Sequence, residues 1–62
     1  MNLEKILKKH EMWLKGEEGG ECADLSGVDL RCANLRNTNL ECADLSDANL
    51  YKANLDNAMN YY

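Results

Sequence analysis

Ala23-Asp24-Leu25-Ser26-Gly27 is followed without a break by Val28-Asp29-Leu30-Arg31-Cys32, and the same rhythm runs on to Ala53-Asn54-Leu55-Asp56-Asn57. Leu25, Leu30, Leu35, Leu40, Leu45, Leu50 and Leu55 fall every five residues. Two places before each leucine stands a small residue: Ala23, Val28, Ala33, Thr38, Ala43, Ala48 or Ala53. Between them is always Asp or Asn: Asp24, Asp29, Asn34, Asn39, Asp44, Asn49 or Asn54. Seven consecutive units obey the rule, and a repeat of this strictness decides the architecture before any other feature.

Neither regular element accommodates a period of five. On an α-helix, five residues advance roughly 500°, so the leucines would spiral around the surface without forming a stripe. On a straight strand an odd step alternates faces, and half the leucines would meet water. A bend in every unit removes the conflict. The small residue and the leucine are two apart, so a short extended segment points both inward and the Asp or Asn between them outward. The next two residues turn a corner. The expected core is therefore Ala23, Leu25, Val28, Leu30, Ala33, Leu35, Thr38, Leu40, Ala43, Leu45, Ala48, Leu50, Ala53 and Leu55. Right-angle corners would bring the chain over itself after twenty residues. Successive coils would then pair at the ~4.8 Å strand spacing.

The run from Ala23 to Asn57 resembles the pentapeptide-repeat family, whose consensus is Ala-(Asp/Asn)-Leu-x-x. The resemblance implies an all-β solenoid, a right-handed quadrilateral β-helix with the leucine and the small residue inside. At seven units it would hold under two coils. The stretch before the repeats, with Ile6-Leu7, His10, Trp13-Leu14 and Gly19-Gly20, also resembles the leader of some bacterial and phage members.

The last residue of each unit alternates in type. Gly27, Asn37, Asp47 and Asn57 tolerate a left-handed backbone, whereas Cys32, Cys42 and Lys52 do not favour it. A type II turn needs φ > 0 at its third position. The spacing thus predicts alternating corners, type II near 27, 37, 47 and 57 and another type near 32, 42 and 52.

The ends complete the plan. Residues 1–16 read as a capping helix, with Leu3, Ile6, Leu7, His10, Trp13 and Leu14 recurring at three- and four-residue steps. Asn2 suits the N-cap and Gly16 the stop. Residues 17–22, with Gly19-Gly20, read as a linker; 23–57 are the repeats; 58–62 are a degenerate unit and tail, where Asn60 stands in the leucine place. Solenoids need caps, and no second helix follows. The C-terminal coil is therefore expected to meet another copy through Leu50, Leu55, Met59, Tyr61 and Tyr62, most simply as a two-fold homodimer. A frayed tail on a monomer is the alternative.

Little chemistry is legible. His10 is the single histidine and lies on the apolar stripe, where it packs or bonds to the first coil. A Cys–His nucleophile pair with Cys22 is conceivable on paper, but no converging polar set accompanies it. Cys22, Cys32 and Cys42 are ten apart, so Cys22 and Cys42 stack on one corner and Cys32 lies opposite, which supplies no four-ligand zinc site. Their odd number suits reduced thiols. No enzyme activity, cofactor, metal or small-molecule substrate is expected.

The 62 residues carry a net charge of −4. Residues 1–16 hold four lysines against two glutamates, a net +2, and residues 17–62 hold nine acids against three bases, a net −6. Direct nucleic-acid binding through phosphates needs the opposite sign. The N-terminus has no signal-peptide core and no stretch is long enough to span a bilayer, so a cytoplasmic location is expected. The leading expectation of function is a small structural or protein-interaction module with an unidentified protein partner or a second copy. The alternative is an acidic DNA mimic that binds a type II topoisomerase (DNA gyrase), since family members that confer quinolone resistance are long acidic rods imitating duplex DNA.

Overall fold

The computed structural model describes residues 2–60, which form one α-helix followed by a chain that bends once in every repeat. Helix α1 spans Leu3–Leu14. Asn2 caps it: the backbone there is extended and the Asn2 side chain accepts the Lys5 N–H at 3.1 Å. At the other end Gly16 takes φ +72. Its N–H donates to the Trp13 carbonyl, and that of Glu17 to Met12, the reciprocal pair that closes a helix with a left-handed residue.

Residues 17–21 are more than a linker. The chain folds back along α1, and the Glu21 N–H donates to the Lys9 carbonyl at 3.0 Å. A Cβ on Gly20 would collide with backbone atoms of Met12 and Trp13, so only glycine permits this approach.

The repeats then do what the period of five requires. Parallel bridges join Asp24 to Asp44, Asp29 to Asn49, Asn34 to Asn54 and Asn39 to Met59. Every partner lies twenty residues on, so four bends return the chain over itself. The first coil donates upward from Leu25, Leu30, Leu35 and Leu40 to carbonyls of the second at 2.8–2.9 Å. Asp44, Asn49, Asn54 and Met59 donate back at 2.8–3.0 Å. Each side pairs through a single residue, so among the described residues there are isolated bridges and no extended strand or sheet. The expected all-β description is corrected to that extent: a side of about three residues is too short to become a strand, and α1 is the longest regular element.

All seven corners are alike, which corrects the expected alternation. Each closes with a hydrogen bond from the small residue of one unit to the preceding leucine carbonyl, from Val28 to Leu25 through Ala58 to Leu55, at 2.9–3.4 Å. At each, φ is positive: +68 at Gly27, +61 at Cys32, +61 at Asn37, +65 at Cys42, +60 at Asp47, +58 at Lys52 and +62 at Asn57. Between-coil bonds from the corner N–H groups of Gly27, Cys32 and Asn37 to Ser46, Tyr51 and Asp56 hold the first-coil corners in this geometry whatever the side chain is. A left-handed backbone costs an L-residue roughly 1–2 kcal/mol, so Cys32, Cys42 and Lys52 carry strain that the coil imposes.

The Asp or Asn of each unit points outward and also turns back on the chain. Its Oδ1 accepts the backbone N–H two residues on, at 3.0–3.1 Å, in all seven units from Asp24 to Asn54. This bond satisfies the first corner N–H and explains why Asp and Asn alone occupy the place.

Inside, Leu25, Leu30, Leu35, Leu40 and Ala23 are buried, and Leu3, Ile6 and Leu7 of α1 pack on this cluster from below. Val28, Ala33, Ala43, Leu45, Ala48, Leu50 and Leu55 are half-buried against it; Thr38 and Ala53 are also half-buried.

The corner geometry gives a paired expectation. Gly27→Ala, with open space around the added methyl, should lower stability by about 1 kcal/mol because the backbone stays left-handed. Cys32→Asn should raise it by roughly 0.5–1 kcal/mol for the converse reason. Urea unfolding followed by circular dichroism measures both, and equal midpoints for the two variants would contradict the strain argument.

Candidate interaction surface

The hollows on this molecule are shallow. One lies between α1 and the corner at Asn37–Asn39, floored by Leu7, His10 and Leu14 and rimmed by Glu4, Lys8, Glu11 and Lys15. Glu11 and Lys15 are paired at 2.9 Å along the helix, so that rim is largely self-satisfied. Among the described residues no group of three or more His, Cys, Asp or Glu side chains converges as metal ligands would.

His10 is 1% exposed and its Nδ1 accepts the Ala23 N–H at 3.0 Å. It therefore joins helix to first coil and orders the entry to the repeats. Its Nε2 has no partner among the described residues. Trp13 stacks on the imidazole at 5.8 Å between centroids and is 40% exposed, so it covers His10 and is not itself core. Leu14 is half-buried.

The cysteines do not converge on a reactive centre. All three are free and exposed. Cys22 and Cys42 do stack on one corner, but the Cys22 thiol donates to the Cys42 carbonyl at 2.8 Å and not to its sulfur. Desolvation, together with Cys42 and Asp44 nearby, pushes the Cys22 thiol up, which leaves less thiolate at neutral pH.

Charges are held locally. Arg31 grips Asp29 through two hydrogen bonds at 2.7 and 2.9 Å. That grip holds the Asp29 carboxyl below its ordinary range. Ser46 does the same to Asp44, donating its hydroxyl at 2.6 Å, and Lys15 to Glu11.

The open end of the second coil is different in kind. Leu25, Leu30, Leu35 and Leu40 are 0–1% exposed, but Leu45, Leu50 and Leu55 directly above them are only half-buried. The backbone is also half-used. By the pattern that joins the coils, the carbonyls of Ala43, Ala48, Ala53 and Ala58 and the N–H groups of Leu45, Leu50 and Leu55 point away from the first coil, with no partner among the described residues. This end therefore presents an apolar cross-section ringed by unpaired backbone groups.

The residues expected at this end are placed unequally. Leu50 and Leu55 line the cross-section. Met59 pairs its backbone with Asn39 and is 51% exposed. Asn60 takes φ +60 and its amide donates to the Asn39 side chain at 3.0 Å, so the chain leaves the repeat geometry there. Tyr61 and Tyr62 lie outside the described residues. Tyr51 was not singled out by the periodicity, since it occupies an outward corner place. It is 65% exposed with the Lys52 ammonium 5.4 Å from its ring centre.

Two measurements follow from the electrostatics. Asp29, Asp44 and Glu11 have lowered native pKa values, so their contribution is present above the ordinary carboxylate range and is lost as pH falls through the native values. The urea midpoint should therefore be lower at about pH 3 than at about pH 6; an unchanged midpoint would contradict the assignment. A thiol reagent at mildly alkaline pH should modify three thiols in all, with Cys22 slower in the native chain than in urea.

With this geometry established, three comparisons add one positive finding. A family model described as pentapeptide repeats matches residues 21–58 in eight copies. No curated protein matches the chain, and no solved structure does. No helix among the described residues is long and apolar enough to cross a membrane.

Proposed function

The chain belongs to the pentapeptide-repeat family, matched over residues 21–58, and from that premise we propose that it is a non-enzymatic structural or protein-interaction module that associates with a second copy through its second coil. Pentapeptide repeats imply a fold of the β-helix type. In the finer reading the repeats form a right-handed quadrilateral solenoid of under two coils, closed below by α1, and the protein is located in the cytoplasm.

One observation carries the proposal: the leucines of the first coil are buried and those of the second are half-buried. Covering Leu45, Leu50 and Leu55 removes apolar area from water at about 25 cal/mol per Å². The same contact gives partners to the backbone groups around them, and unsatisfied groups of this kind are costly when buried. The first coil already has such a cover in α1.

The topoisomerase reading rests on the acidity of residues 17–62 alone. Asp29 is neutralised by Arg31, and the outward places mix Asn34, Asn49 and Asn54 with acids. The molecule is 33 Å in its longest dimension, α1 included, no more than about one turn of duplex. No direct contact with nucleic acid is proposed.

The chain has a mass of 7.0 kDa. Light scattering at micromolar to millimolar concentration should give about twice that mass, moving toward one copy on dilution. Leu50→Gln should shift the mass to one copy while the helical circular dichroism of α1 persists. A single-copy mass at every concentration would overturn the reading.

A further inference from the structure

We propose that His10 is a proton-operated latch: the neutral imidazole ties α1 to the first coil, and protonation releases the helix from the repeats. The inference stands apart from the self-association reading and concerns the opposite end of the coil.

Three observations lead there. First, the tie is single. α1 meets the repeats through the apolar contacts of Leu3, Ile6 and Leu7. Among the described residues one hydrogen bond joins the helix to them, from the Ala23 N–H to His10 Nδ1 at 3.0 Å. The ion pairs do not cross. Lys9 holds Glu21 and Lys15 holds Glu11 on the helix side, and Arg31 holds Asp29 within the repeats.

Second, this bond fixes the protonation state. Nδ1 accepts only when it carries no proton, so the ring is neutral with its proton on Nε2. A proton added to Nδ1 sets N–H against N–H and ends the bond.

Third, the site offers an imidazolium nothing in exchange. His10 is 1% exposed, and its Nε2 already lacks a partner among the described residues. On α1 the charged neighbours are Lys9 and, around the adjoining hollow, Glu4, Lys8, Glu11 and Lys15; none of them forms an ion pair with the ring. From the repeats that hollow is closed by the uncharged Asn37, Thr38 and Asn39. Beside Ala23, Asp24 turns its carboxylate onto Ser26, and the Cys22 thiol donates to the Cys42 carbonyl. In the fold-back, Glu21 is taken by Lys9, and Glu17 and Glu18 are exposed. Trp13 stacks on the ring, and an aromatic face attracts a cation. It supplies no acceptor for either N–H, however, and a buried charge without a partner is costly.

The helix leaves with its ring. Released, α1 is a twelve-residue helix, at the lower limit of what persists alone. The undersides of Leu25, Leu30 and Leu35 then meet water. Release takes up one proton. Docking is therefore undiminished above the ordinary imidazole range and weakens by up to about tenfold per pH unit below about pH 6.5. Between about pH 7.5 and pH 5 the loss is about thirtyfold. Asp29, Asp44 and Glu11 act at lower pH, so the two effects separate.

Hydrogen exchange of the Ala23 amide, followed by NMR on the 62-residue chain and corrected for the intrinsic rate at each pH, reads the latch directly. Its protection should fall about thirtyfold from about pH 7.5 to pH 5. In His10→Gln the side-chain oxygen can accept the same N–H without titrating, so protection should stay level within about twofold. The imidazole nitrogen shifts of the unaltered chain test the premise with no variant: at about pH 7.5, Nδ1 should be bare and Nε2 protonated. Protection at Ala23 that does not fall in the unaltered chain, an equal fall in His10→Gln, or a proton on Nδ1 at that pH overturns the latch. None of these results bears on the mass by light scattering, on which self-association stands.

Discussion

The backbone pairing that joins each side of the first coil to the side twenty residues on is the contact on which everything else depends. It exists because each unit bends once, and each unit bends because a leucine every fifth place has no other way to reach the interior. Bend and bond then reinforce one another. The corner N–H of Gly27 reaches Ser46 with φ at +68, and Cys32 and Asn37 make the same reach with φ at +61. Local preference is overruled wherever the residue dislikes that backbone. The strain is affordable because it is distributed, one corner at a time, against eleven bonds between the coils.

This accounts for what the sequence revealed and what it hid. The inward leucines and small residues were legible because burial depends on period, and period is a property of the text. The corners at Cys32, Cys42 and Lys52 depart from the expectation because residue type there reports preference, whereas the repeat geometry of the coil sets the conformation. The Asp or Asn at the centre of each unit was read only as pointing outward. Its second duty, accepting the N–H two places on, was available from turn chemistry. His10 was placed on the stripe, but its bond to Ala23 depends on the path of residues 17–21, and that path is set by Gly20 lying against Trp13. No spacing rule encodes such a path. At the open end, Tyr51 escaped notice because an exposed corner residue carries no periodic signal.

The two ends of the coil pose the same physical problem. A bend every five residues leaves, above and below, a disc of leucine ringed by backbone. Below, α1 covers the apolar disc with Leu3, Ile6 and Leu7, and His10 takes the first free N–H. The helix is held in register by its own fold-back, with Glu21 bonded to Lys9 through the backbone and again through their side chains at 3.3 Å. Above, nothing comparable stands among the described residues, and the contrast between Leu30 and Leu50 measures the difference.

Under the proposed self-association, stability and association form one equilibrium for a coil this short. A chain of this size buries a smaller share of its surface than a larger domain does, so the second coil holds its shape against fewer buried contacts than the first. Whatever covers Leu45, Leu50 and Leu55 stabilises the coil beneath it by mass action. Fraying of the upper coil in turn removes the surface that a partner would bind. Lengthening a solenoid relaxes this coupling, because added coils bury the ones below and the open end becomes a small fraction of the whole. At two coils the end is half of the repeat structure. Under the proposed self-association, a second copy would supply by association what added coils supply by repetition.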